Sequence, residues 1–185
     1  DLFFSEYVEG THNNKVLEIY NPTNDSIDLS KYRIIRYSNG ATNSNEDINY
    51  VQPLSGYIYA KSTFIAALDR RDPAGTGADT MLFQGLMTQL SSTNHDFFSP
   101  DYTANTQGAK CLSFNGDDAI TLEKSDNGSS YSIVDIFGLI GERPQTSTGG
   151  TGAGWTDEPD YWNGQGGYWT KDQTLIRKST VNTGV

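Results

Sequence analysis

A single cysteine, Cys111, stands in 185 residues, so no internal disulfide can form and the fold must rest on its own core. Basic side chains are also scarce. Thirteen Lys and Arg against 23 Asp and Glu give a formal net charge of −10 and a pI near 4.5, and no stretch concentrates cations beyond Arg70-Arg71 and Arg177-Lys178. Such a field repels phosphate backbones, which disfavours direct nucleic-acid binding and leaves protein, polysaccharide or divalent cations as partners. No apolar run approaches the roughly 18 residues of a membrane span. No leader precedes the first apolar run, which begins almost at Asp1 and reads as the start of a trimmed mature or excised domain.

Catalytic groups are equally thin. His12 and His95 are the only histidines, no serine sits in a Gly-x-Ser-x-Gly elbow, and no pair of carboxylates has the spacing of an acid/base couple. Cys111, beside Leu112 and near Phe114, reads as a buried structural thiol because no histidine accompanies it. The run Gly149 to Gly154 superficially resembles a dinucleotide fingerprint, but no apolar strand precedes it and no helix follows, so it is a loop. An enzyme is not expected.

The chain is rich instead in Tyr, Phe and Gly, at 11, 8 and 19 residues, set in short apolar runs divided by Asn, Ser, Thr and Gly turns. One monomeric domain over residues 1–185 is expected, long enough to bury about 70% of the unfolded chain's surface. The opening segment reads as a β-hairpin: apolar residues alternate in Phe3 to Glu9 and in Val16 to Tyr20, with turn formers Gly10 to Asn14 between them. Pairing Val8 with Val16 sets Glu6 opposite Glu18 and turns Leu17 and Ile19 into the core. Further strands are expected at 33–37, 48–51, 57–60, 63–68, 110–114, 119–123, 132–138 and 174–178, with one short helix over 79–90 from the spacing of Met81, Leu82, Leu86 and Leu90. The sum is an all-β sandwich with long loops and at most one short helix.

Seven blocks along the chain resemble the lamin tail domain family, in its bacterial secreted branch. They are Ser5 to Gly10, Asn13 to Lys15, Leu17 to Asn21, Asp28-Leu29-Ser30, Asn115 to Ile120, Asp135 to Gly138 and Thr174 to Lys178. The resemblance implies an immunoglobulin-like β-sandwich and an extracellular or cell-surface setting, as an accessory module on an exported protein, often beside a nuclease of the endonuclease/exonuclease/phosphatase type. The chain departs from the family pattern by insertions at about 79–110 and 142–171.

Two candidate sites follow from the residues. Glu6 and Glu18, about 5 Å apart across the hairpin, would repel by roughly 3 kcal/mol at an effective dielectric near 20. A neighbouring Lys or Arg or simple solvation can answer that repulsion, or a calcium ion can, shared with Asp117 or Asp118. The Asn115 to Asp118 run reads first as a hairpin turn whose aspartates cap backbone amides. No cofactor is otherwise expected. The second candidate is aromatic: Trp155, Tyr161, Trp162, Tyr168 and Trp169 fall in one loop, where they either cover a sheet or present rings to a protein or glycan. The function expected is a non-catalytic extracellular binding or attachment module that contacts protein, glycan or an adjacent catalytic domain. The alternatives are a dedicated carbohydrate-binding domain using residues 155–169, and a fragment of a secreted nuclease or glycosidase.

Overall fold

The computed structural model describes residues 1–10, 14–43, 47–68, 97–98 (backbone only), 105–144, 153–156 and 168–185. These form eleven strands: β1 (Phe3–Glu9), β2 (Lys15–Tyr20), β3 (Ile27–Asp28), β4 (Tyr32–Tyr37), β5 (Val51–Pro53), β6 (Tyr57–Ile58), β7 (Thr63–Ala67), β8 (Phe97–Phe98), β9 (Ala119–Lys124), β10 (Ser132–Phe137) and β11 (Thr174–Ile176). A five-stranded sheet, β11-β1-β2-β7-β8, faces a four-stranded one, β10-β9-β4-β5, with β3 and β6 making a small ribbon. Pairing is antiparallel except between β7 and β8. This is the all-β, immunoglobulin-like sandwich that the alternation of the sequence predicts.

The first hairpin takes the expected register, with Val8 opposite Val16 and Glu6 opposite Glu18. Strict alternation would put Phe4 and Tyr7, three residues apart, on opposite faces. A bulge between Phe4 and Glu6 adds one residue and brings both rings inside. There Phe4 meets Phe137 at 5.4 Å, while Tyr7 meets Phe114 at 4.8 Å and Phe137 at 5.0 Å. Leu17, Ile19, Phe64 and Ala66 complete that face, against Tyr32, Ile34, Ile120 and Leu122 from the other sheet.

A second bulge, between Ile133 and Asp135, turns the Asp135 carboxylate into the interior, where it is wholly buried. It lies where the β1–β11 ladder ends. Asp135 Oδ2 accepts from the Phe4 amide at 2.8 Å and from Arg177 Nη2 at 2.6 Å, while Arg177 Nε donates to the Phe4 carbonyl at 2.8 Å. One ion pair therefore satisfies both backbone groups of Phe4 beside the bulge and ties β1, β10 and the end of β11 together.

Two segments differ from expectation. Residues 110–114 are a buried turn rather than a strand: Cys111 N donates to Gly108 O at 3.0 Å and Ser113 N to Lys110 O at 3.3 Å, so the backbone closes on itself. The Asn115 to Asp118 run is accordingly not a hairpin turn. Ile48–Tyr50 is a 3-10 turn capped by Asp47, and pairing begins only at Val51. Cys111 is buried as expected, and burial pushes its thiol up to about 12. The helix expected over 79–90 lies outside the described residues.

Arg177→Ala leaves a buried carboxylate with an amide as partner but no cation, and is expected to cost about 3 kcal/mol, roughly 6–12 °C in melting temperature for a chain of this size. Lys31→Ala, which removes the exposed partner of Asp126, is expected to cost under about 0.5 kcal/mol. Thermal melts of the two variants check this, and equal small losses would show that the Asp135 pair does not close the sandwich.

Candidate functional site

The loop before β9 collects charged groups that are buried and paired. Gly116 sits at φ +86°, and a Cβ there would come within 2.6 Å of Lys171 Cα and 2.7 Å of the Glu9 carboxylate, so glycine is required by both backbone and space. This tight turn aims two neighbouring aspartates at different partners. Asp118 accepts from Arg36 Nε at 2.9 Å, from the Asn39 amide at 2.8 Å and from the Asn115 amide at 3.2 Å. Asp117 accepts from Arg143 Nε at 2.7 Å. With its amide nitrogen turned toward them, Asn115 bridges the two carboxylates, donating at 2.6 Å to Asp117 and 2.9 Å to Asp118. Arg36 itself donates to the Lys110 carbonyl and to Ser113 Oγ, at 3.0 and 2.7 Å. Nearby, buried Glu9 accepts from the Tyr7 hydroxyl at 2.9 Å and pairs with Lys15 at 3.2 Å. Burial pushes the carboxyls of Glu9 and Asp117 up, with Lys15 and Arg143 respectively opposing the shift.

Glu6 and Glu18 lie elsewhere, on the outer face of the five-stranded sheet, because Leu17 and Ile19 on either side of Glu18 point into the core. Ser5 Oγ donates to Glu18 at 2.5 Å. Partial burial and the Glu18 charge raise the Glu6 carboxyl. The four carboxylates named for calcium are thus not brought together: Asp117 and Asp118 are turned inward onto arginines. Among the described residues no group of three or more His, Cys, Asp and Glu is placed to share a metal ion.

The aromatic candidates divide as well. Trp155 is 6% exposed and structural: its indole nitrogen donates to the Asp118 carbonyl at 2.9 Å and its amide to Thr170 Oγ1 at 2.8 Å. Thr170 Oγ1 passes the link on to the Gly116 carbonyl at 2.6 Å. The indole also covers Gly138, φ +74°, where a Cβ would lie 2.7 Å from the ring. Trp155 therefore covers a sheet end and is withdrawn as a ligand contact. Trp169 is 50% exposed, held by its amide on the Trp155 carbonyl at 2.9 Å. Tyr168 is half-buried, with the Lys171 ammonium 6.0 Å from its ring centroid. Tyr161 and Trp162 lie outside the described residues.

The sequence reading missed Arg36, Arg143 and Thr170, whose roles depend on partners 82, 26 and 54 residues away. It also missed the exposure of Tyr57 and Tyr59, at 66% and 71%. The signal for these was present in the Tyr57-Ile58-Tyr59 alternation.

The family model of the Lamin Tail Domain matches residues 1–139. The chain belongs to the lamin tail domain family. Its matched part ends just past Gly138, so Trp155, Thr170 and β11 pack onto the family-matched region from beyond it. Comparison with curated proteins and with solved structures returns no match. The lamin tail domain is an immunoglobulin-like, non-enzymatic domain type, in keeping with carboxylates held in structural ion pairs.

The pKa directions fix a pH response. Glu6, Glu9 and Asp117 bind protons more tightly when folded, so their contribution to stability falls as pH rises above about 4, the ordinary carboxylate range. Asp28 and Asp47, lowered by hydrogen bonds from Ser30 and Asn49, act oppositely, and their contribution is lost as pH falls below that range. Glu6→Gln is expected to raise stability at about pH 7 by roughly 0.5 kcal/mol, or 1–2 °C, and to change it little near pH 4. Melting curves across that range check the sign, and a variant equally shifted at both ends would contradict it.

Proposed function

We propose that this lamin tail domain is a non-catalytic binding or attachment module of an exported bacterial protein, working outside the cell or at its surface against a protein, a glycan or an adjacent catalytic domain. The observation that carries the reading is a division of labour among side chains. Asp117, Asp118, Glu9, Glu123 and Asp135 are buried and ion-paired within the fold, whereas Trp169 is presented to solvent on a segment pinned at its base. Groups so engaged are poor acid/base catalysts, and a fixed exposed aromatic is suited to recognition. The acidic field of the chain argues further against a nuclease fragment. A second reading, carbohydrate binding through the 155–169 segment, draws on exposed Trp169 and half-buried Tyr168 among the described rings.

Purified chain is expected to turn over neither DNA nor aryl glycosides, and to be retained on a bacterial cell-envelope fraction. Trp169→Ala should lower that retention about fivefold or more without changing the melt. Turnover that disappears on mutating the chain's own side chains would overturn the reading.

The module also acts without a bound metal on this view, since Asp117 and Asp118 already have cationic partners. EDTA is expected to leave the melting temperature unchanged at fixed protein concentration and ionic strength. A fall that calcium reverses would restore Glu6, Glu18, Asp117 and Asp118 as ligands.

A further inference from the structure

We propose that the β3–β6 ribbon and the open cleft beside it form a saccharide-binding site, distinct from the aromatic segment; the proposal rests on the binding-module reading and names its ligand class. Two observations meet here. Tyr57 and Tyr59 are 66% and 71% exposed, while Ile58 between them is 2% exposed and faces the core. With Tyr59 just past the end of β6, that alternation places both residues on the outer side, and an extended backbone separates their Cα atoms by about 6.6 Å. Successive units of one sugar chain can each meet a ring at such a spacing, with the apolar face of the pyranose against the aromatic surface.

The second observation is a cavity of about 370 Å³, within the size range of small-ligand sites. It is lined by Asp1, Asp28, Lys31, Tyr32, Lys124 and Asp126, among others. Asp28 stands directly opposite Tyr57 in the β3–β6 register, so the cavity adjoins the position of the first ring. Its Oδ1 is fixed by the Ser30 amide at 2.9 Å.

The charges inside decide the ligand class. Lys124 lies 3.0 Å from Asp1, whose other oxygen accepts from the Tyr32 hydroxyl at 2.6 Å. Lys31 lies 3.8 Å from Asp126. Both lysine ammoniums of the lining already face a carboxylate, and the chain's net charge of −10 repels a phosphate or other anion. The carboxylates that face these cations or the Tyr32 hydroxyl are correspondingly poor company for a divalent metal. What remains is a close alternation of donors and acceptors. Neutral sugar hydroxyls, which donate and accept at once, match that alternation.

The test uses the whole chain and four neutral probes, the hexamers of β-1,4-glucose, β-1,4-N-acetylglucosamine, β-1,4-xylose and α-1,4-glucose, followed by titration calorimetry. At least one is expected to bind. Tyr57→Ala with Tyr59→Ala should weaken it about tenfold or more, Lys124→Met about threefold or more, and Trp169→Ala less than twofold. The tyrosines are exposed, so the double variant should melt with the wild type and separate lost binding from lost folding. Binding of none of the four overturns the saccharide site, and the envelope-retention measurement then still judges the module reading separately. Binding that survives the double variant but is lost in Trp169→Ala also overturns it, moving sugar recognition to the aromatic segment. Hydrolysis of a bound hexamer would defeat the module reading itself.

Discussion

A carboxylate without access to water must meet a cation and hydrogen-bond donors, and this sandwich is arranged around that requirement at Asp118 and Asp135. Their side chains are 1% and 0% exposed. An ionised group so placed is costly unless its partners are fixed, and in each case the partners come from separate parts of the chain. Asp135 joins β10 to β1 and to Arg177 just past β11. Asp118 joins the start of β9 to Arg36 in β4 and to the turn after it. Sheet packing alone would tolerate small slippage of one layer over the other. A buried ion pair with defined hydrogen bonds does not, because any shift that separates the charges strands both.

That arrangement explains why the polar residues of this chain fall into two populations. Arg33 illustrates the first: it pairs with Glu123 at 2.7 Å and stacks 3.6 Å from the centroid of the Tyr131 ring on the outer face of the second sheet. Arg36, buried on the inner side of the same strand, pairs with Asp118. The cations near these carboxylates are engaged within the fold.

Much of the fold was legible because it follows from alternation. The first hairpin, including the Glu6–Glu18 register, needed only the period of two and a turn of suitable length. The bulges were not legible, since the extra residue at Ser5 looks like any polar position, yet it decides that Phe4 joins Tyr7 in the core. The run 110–114 misled for a related reason: its burial is that of a strand, but burial here is imposed by closure of the core on a turn. For the site, sequence located Asn115 to Asp118 and the tryptophans but could not assign them. Trp155 and Trp169 are alike in composition and opposite in exposure, and the difference is made by Gly138 and Thr170, which no local pattern connects to either.

The family match stops near residue 139, and the structure gives that boundary a physical meaning. One of the two charged anchors straddles it: the Asp118–Arg36 pair lies within the matched part, whereas Asp135 lies within it and its partner Arg177, like the covering Trp155, lies beyond. A chain ending at the boundary would retain both carboxylates, lose the cation of one, and uncover Gly138 and the Asp118 carbonyl. The last segment is thus a structural completion of this domain, since β11 pairs with β1 and Arg177 neutralises a charge that the matched part cannot neutralise itself. Trp169 rides on the same completion, so in this chain the exposed aromatic is positioned by the elements that close the core.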